Sequence, residues 1–371
     1  MKKSLIALAV AGTFAAPAAY AATANVDVYG LLNVAVEHVD NGPNSKGRVT
    51  TGNNSALGFK GSEDLGGGLK AIWQVETNVS LDGDNNTTGT TAPGALNGTR
   101  NTFLGLSGGF GTVLMGVHDT PYKLSTGRLD NFVGTLGDYN SIMGAMDNNN
   151  NASALFDLRA SNVVAYVSPN IQGFQARLGY VFSGERNFTT PNIKKSDAWS
   201  MDASYTQGPL FLTAAYEQHN LYGGAQIAGG GLITLNNNTG AKAERTAWKV
   251  GGGYKFGDLS LGAVYENIEV ANADRSAWML NASYAMGPIT LKAAYMNADD
   301  RDGTNNTGAR QWNLGVDYAL SKRTMVQVVY ANLDNESGAG YRLGQGSNVV
   351  AGPTTTGHDQ SGFALGVRHS F

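Results

Sequence analysis

The fold is decided by two stretches of sequence that repeat each other, WSMDASYTQGPLFLTAAY (199–216) and WMLNASYAMGPITLKAAY (278–295). Each begins with tryptophan, reaches tyrosine six residues later, turns at Gly-Pro, and ends on a second tyrosine. Between these landmarks apolar and polar residues alternate. Trp199, Met201, Ala203 and Tyr205 share one parity, and Ser200, Asp202, Ser204 and Thr206 share the other. A period of two is that of a β-strand with two unlike faces, and a two-residue turn containing glycine joins such strands as a hairpin. The stretch from Trp248 to Tyr265, which contains YKFGDLSLGAVY (254–265), has the same form, and the one from Trp312 to Tyr330, which ends in YALSKRTMVQVVY (318–330), is a looser copy.

The aromatics fall into rows. Trp199/Tyr205, Trp248/Tyr254, Trp278/Tyr284 and Trp312/Tyr318 bracket the apolar face of one strand of each hairpin, and Tyr216, Tyr265, Tyr295 and Tyr330 end that of the other. Tryptophan and tyrosine combine an apolar body with a polar tip and settle where hydrocarbon meets water. Two such rows are the girdles of a transmembrane β-barrel. Six residues span roughly 15 Å of membrane after a 40° tilt, short of the ~25 Å apolar band, and ring width with flanking apolar residues makes up the rest. A soluble sandwich core has no need for aromatics at both ends of so many strands.

Composition agrees. Of 371 residues 15% are charged, there are 50 glycines, and cysteine is absent, which excludes disulfides and thiolate metal sites. The opening MKKSLIALAVAGTFAAPAAYA (1–21) has a basic start, a short apolar run and a small-x-small end, and is expected to be a secretory signal peptide cleaved after Ala21. Its loss takes Lys2 and Lys3 and makes a chain of formal charge −3 more acidic. No basic excess favours nucleic acid. Past this segment no apolar run is long enough for a transmembrane helix, but a membrane strand needs only every second residue apolar.

Strands are counted by their turns. LGGGL (65–69), SGGFG (107–111), SPNIQG (168–173), TQGPL (206–210), KFGDL (255–259), AMGPI (285–289) and LSKRT (320–324) predict seven hairpins. VDVYGLLNVAVEH (26–38) and a last strand ending FALGVRHSF (363–371) bring the total to sixteen. The last segment alternates up to Phe371 because an open sheet edge in hydrocarbon would leave backbone groups unsatisfied, so first and last strands must pair. The expectation is an all-β, 16-stranded antiparallel barrel over 22–371. Sixteen strands enclose an aqueous channel, suited to passive diffusion of ions and small hydrophilic solutes. The segment Asp119–Ala160 is too long for a plain connection. It carries Tyr122, Leu124, Leu129, Phe132, Leu136, Tyr139, Ile142 and Met143, so it is expected to fold into the lumen and narrow it.

The pieces SALGFKGSEDLGGGLKAIWQVE (55–76), TRNTFLGLSGGFGTVLMG (99–116), SNVVAYVSPNIQGF (161–174) and the final Phe371 resemble the general trimeric porins of Gram-negative outer membranes, over the whole chain. That resemblance implies an outer-membrane homotrimer, a third loop inside each barrel, and a terminal aromatic, Phe371, read by the barrel assembly machinery. It implies basic wall residues facing loop acids: Lys60, Arg100 and Arg159 on the wall, Asp130 on the loop. Ala56 stands where many relatives have arginine and Gly134 where some have a second acid, which weakens the expected transverse field. By parity Arg177, Lys249, Lys292 and Arg368 face inward, as do Glu76, Asp202, Glu266 and Asp317, with Glu76 assigned to the constriction. Near balance with a basic lean predicts weak anion preference.

Other readings have less support. His38, His118, His219, His358 and His369 sit mostly at strand ends or in loops, without metal-ligand or triad spacing, so neither an enzyme nor a metal site is expected. DGDN (82–85) lacks the glycine and glutamate of a calcium loop, and LGGGL is a turn without the lysine of a phosphate cradle. No cofactor is expected. A substrate-specific channel would be marked by a lumenal aromatic track, whereas the aromatics here follow the lipid-facing parity.

Overall fold

The computed structural model describes residues 25–52, 54–82, 96–147, 152–182, 196–222, 227–228, 232–233, 242–270, 273–344, 349–350 and 356–371. The expected signal segment lies outside them. Among the described residues sixteen strand positions close into one antiparallel barrel, the expected architecture. They are β1 (Asn25–Asp40), β2 in two pieces (Ser45–Thr51 and Ala56–Gly66), β3 (Leu69–Val79), β4 in two pieces (Leu96–Thr99 and Thr102–Gly108) and β5 (Gly111–Asp119). Then follow β6 (Arg159–Val167), β7 (Phe174–Val181), β8 (Asp197–Gln207), β9 (Leu210–Tyr222), β10 (Lys242–Phe256) and β11 (Leu259–Val270). The last are β12 (Ala273–Met286), β13 (Ile289–Ala298), β14 (Ala309–Ala319), β15 (Thr324–Asn335) and β16 (Gln360–Ser370).

All seven short turns fall where the turn motifs put them. Gly208, Gly257 and Gly287 have positive φ, as a two-residue turn with glycine first requires. The seam is closed by β16 on β1, in register from Leu31↔Ser370 to Asp40↔Ser361. Gly30 and Phe371 add a reciprocal pair of backbone hydrogen bonds of 3.1 Å. The ring therefore has no free edge.

Outward positions carry the exposed apolar side chains, among them Val28, Leu104, Met115, Leu212, Leu314 and Leu365. The loop-side aromatics form one continuous outer row. Tyr216 is paired in register with Trp248, Tyr265 with Trp278, and Tyr295 with Trp312. Diagonal ring contacts of 5.5, 5.4 and 5.1 Å link Trp248 to Tyr265, Trp278 to Tyr295 and Trp312 to Tyr330. Tyr205, Tyr254, Tyr284 and Tyr318 form the turn-side row on the same face.

The buried core is not in the middle of a sheet sandwich. It lies between the barrel's inner wall and the loop after β5. Leu129, Leu136, Tyr139, Ile142 and Met143 of that loop join Phe211, Val264, Met279, Met296 and Leu333 of the wall in one cluster. The loop starts with helix α1 (Pro121–Thr126), with Pro121 in its first turn and Thr120 Oγ1 accepting from Lys123 N at 3.3 Å.

Candidate functional site

Strand alternation sends every second side chain into the lumen, and the loop divides that lumen into a covered wall and an open one. On the covered side, glycines at inward positions leave sockets. A Cβ at Gly362 would come 2.5 Å from Leu136, one at Gly315 2.8 Å from Phe132, and one at Gly251 2.9 Å from Leu129. Side-chain amides hold the loop's carbonyls: Asn281 donates to Leu129 O at 2.8 Å, Asn313 to Gly137 O at 2.7 Å and Asn33 to Gly134 O at 2.9 Å.

A buried ionic cluster fixes the far half of the loop. Glu266 accepts from Tyr122 Oη at 2.9 Å and from Gly144 N at 2.9 Å, and it pairs with Arg275 at 3.2 Å. Arg275 also donates to Ile142 O at 3.0 Å. Lys249 pairs with Asp157 of the loop and lies 4.1 Å from the centre of the Tyr122 ring. Charges this deep persist only when paired and hydrogen-bonded, and each of these is spent on holding the loop.

The open wall carries a different set, linked as one polar chain. Lys60 of β2 stands 5.2 Å from the centre of the Tyr29 ring, and Tyr29 Oη donates to Glu76 at 2.8 Å. Glu76 of β3 pairs with Arg100, between the two pieces of β4, whose guanidinium also reaches Asn78 at 3.1 Å. Asn101 follows. Its Nδ2 donates to Asp119 at 3.0 Å, and its Oδ1 accepts from Arg159 Nε at 2.9 Å. Asp119 pairs with Arg159 at 3.1 Å and with Lys123 of the loop at 3.2 Å. Lys60, Glu76, Arg100 and Arg159 thus belong to one lumenal constellation, with four cations set against two carboxylates, Glu76 and Asp119.

Asp130, expected as a loop acid facing the basic wall, makes its hydrogen bonds within the loop. Its carboxylate accepts from Phe132 N at 2.7 Å and from Tyr139 N at 3.2 Å. Asp138 likewise accepts from Gly134 N and Asn140 N. Burial, together with Asp138 nearby, pushes the Asp130 carboxyl well above the usual carboxylate range. The physical reason is local: a tightly wound loop has orphan amides, and these two carboxylates satisfy them.

Sequence reasoning missed Tyr29, Asn101, Asp119 and Lys123. Lys123 and Asp119 are four apart across the start of a helix, a spacing that could have flagged them. Asp119 has the parity of outward-facing Met115, and Gly116 with φ +145° falls between them. Tyr29 has inward parity, an exception to the aromatic rule.

A closed barrel with apolar outer face, aqueous lumen and inward-folded loop defines a class, the membrane diffusion channel. Residues 6–339 match the Gram-negative porin family, and the chain belongs to it. Outer membrane porin protein 32 of Delftia acidovorans is 31% identical across 100% of both chains. Major outer membrane protein P.IB of Neisseria meningitidis is 34% identical over 59% of this chain and 60% of that one. Among solved structures, the anion-selective porin from Comamonas acidovorans superposes with a TM-score of 0.75 at 27% identity, covering 94% of this chain and 100% of that one. The protein is an outer-membrane channel for passive diffusion of ions and small hydrophilic solutes.

Proposed function

We propose that the channel is a general pore with an anion lean, and that Lys60, Glu76, Arg100, Arg159, Asp119 and Lys123 set it. The observation that carries this reading is the excess of cations in that constellation, where both carboxylates are already engaged by arginine. Asp130 and Asp138 make their hydrogen bonds to the loop's own amides and not to any member of this constellation. The Comamonas relative's description as anion-selective supports the sign. The test is the reversal potential of the purified protein in planar bilayers under a salt gradient. Anion preference is expected, reduced in the Arg100→Ala, Arg159→Ala double variant; cation preference in the wild type refutes the reading.

The remaining assignments form part of the same reading. The chain acts as a channel rather than an enzyme, and as a homotrimer in outer-membrane lipid. The trimer contact falls on the arc from β16 through β1 to β5, whose outward face is mainly aliphatic (Val28, Val36, Leu104, Leu106, Leu365) with phenylalanine at Phe59 and Phe363, and carries no tyrosine of the kind that marks both ends of the strands from β8 to β15. The two aromatic rows, Trp199, Trp248, Trp278, Trp312, Tyr216, Tyr265, Tyr295 and Tyr330 on one side and Tyr205, Tyr254, Tyr284 and Tyr318 on the other, sit at the two bilayer interfaces. Residues 1–21 are removed on export, and Phe371 is the signal for barrel assembly.

A further inference from the structure

The seam joins the two ends of the chain, so no turn or loop dictates its register. A shift by one residue is excluded, because it would turn every side chain to the wrong solvent. A shift by two is not. β1 begins at Asn25, whereas its pairing with β16 stops at Gly30 and Phe371. Among the described residues no strand pairs with Asn25–Tyr29 on the side away from β2. Sliding β16 two residues toward Asn25 would keep each side chain on its face. It would also leave every residue from Ser361 to Phe371 opposite a residue of β1. Alternation and backbone hydrogen bonding therefore leave two registers open, and side chains have to choose between them.

Where the pairing stops, a ring lies on a glycine. Gly30 and Phe371 are directly opposed and exchange backbone hydrogen bonds of 3.1 Å. Both are at outward positions, and the ring of Phe371 leans across onto its partner. A Cβ added at Gly30 would fall on the ring tip, 2.8 Å from Phe371 Cε1, and would lie 2.9 Å from Ala56 O. The next outward residues of β1 are Val28 and Leu32, which would put a side chain where the ring lies. The other margin of β1 repeats the device on the inner face. Tyr29 is opposed to Gly58, and a Cβ at Gly58 would come 2.6 Å from Tyr29 Cε1. That pairing also has a register that the preceding turn does not set, because the two pieces of β2 are held on β1 in registers two residues apart.

We propose that Gly30 is a socket keyed to the Phe371 ring and that this key selects the register in which the barrel closes, with Gly58 and Tyr29 doing the same for β2 on β1. A ring laid over a strand glycine covers backbone that is otherwise bare, and it fits only where the glycine stands. The role is separate from the charge of the pore and from any recognition of Phe371 before closure.

The test exploits the absence of native cysteine, which lets engineered pairs report register directly. Val34→Cys with Val367→Cys bridges the observed register, and Val34→Cys with Leu365→Cys bridges the one shifted by two toward Asn25. Opposed residues of antiparallel strands lie within disulfide range. The protein is refolded from urea into detergent under oxidation, and the bridged fraction is measured by mass spectrometry. With Gly30 intact, only the first pair is expected to bridge. Gly30→Val is expected to raise the yield of the second pair about tenfold, the effect of a moderate overpacking cost. Moving the socket is the sharper arm: Val28→Gly together with Gly30→Val should make the second pair the main product, because the ring follows the glycine. Phe371 stays in place throughout, so its reading as an assembly signal is not at stake, and reversal potentials test the pore charges separately. Retention of the first register in both variants overturns the proposal, as does scrambling without preference for the moved glycine. If the valine variants do not close, Gly30→Ala decides in the same assay: a measurable second-register bridge upholds the socket, and the first bridge alone overturns it.

Discussion

The two walls of the lumen use charge in opposite ways. On the wall the loop covers, Lys249, Glu266 and Arg275 are fully buried and each is matched by a loop group. On the open wall Arg100 and Glu76 keep part of their side chains in the lumen, where water can screen them and solutes can meet them. The first set determines whether there is a constriction at all, and the second determines what the constriction prefers. Charge in a pore is therefore not evidence of selectivity until its partner is known.

The contrast makes graded predictions. Glu266→Ala leaves Arg275 buried beside an empty site and frees Tyr122 Oη and Gly144 N; breaking a buried pair this way costs about 3–5 kcal/mol. Single-channel recordings should show higher, noisier conductance as the loop leaves its seat, and an unchanged trace would deny the cluster its role. Next in size, Gly362→Leu fills the socket of Leu136 at a cost of about 1–3 kcal/mol. Adding Leu136→Ala should restore the wild-type conductance, and failure to do so would mean the socket is not the contact that matters. On the open wall, Lys123→Ala should move the reversal potential toward cations by less than the Arg100/Arg159 pair does, while leaving unfolding within about 1 kcal/mol of wild type, as partly exposed ion pairs usually do. Smallest of all, Asp130→Asn should leave the reversal potential where it was; a clear shift toward anions would return that carboxylate to the neck.

The barrel was open to sequence reading because it is a one-dimensional code. Parity assigns each side chain to oil or water, short turns mark the returns, and aromatics mark the ends, so β8–β16 can be drawn from the sequence. The loop was legible only as a quantity. Its length and its apolar residues announced packing, and seven of the eight named residues are indeed buried. What they pack on was hidden, because inward Phe211, Val264, Met279 and Met296 contradict a polar lumen unless something covers them. Asp130 shows the same limit at one residue. Its sequence position is that of a pore acid, but the turn geometry that claims its oxygens forms only when the loop folds.

The seam between β1 and β16 has a temporal meaning as well as a spatial one. Leu31 cannot meet Ser370 until nearly the whole polypeptide has been delivered. One margin of β1 waits through that interval with its amides unclaimed, the condition in which ribbons from neighbouring molecules find each other. The seam is also the contact that renders the molecule safe from its own kind, and a chain released before residue 370 would be a polymerisation hazard rather than a smaller pore.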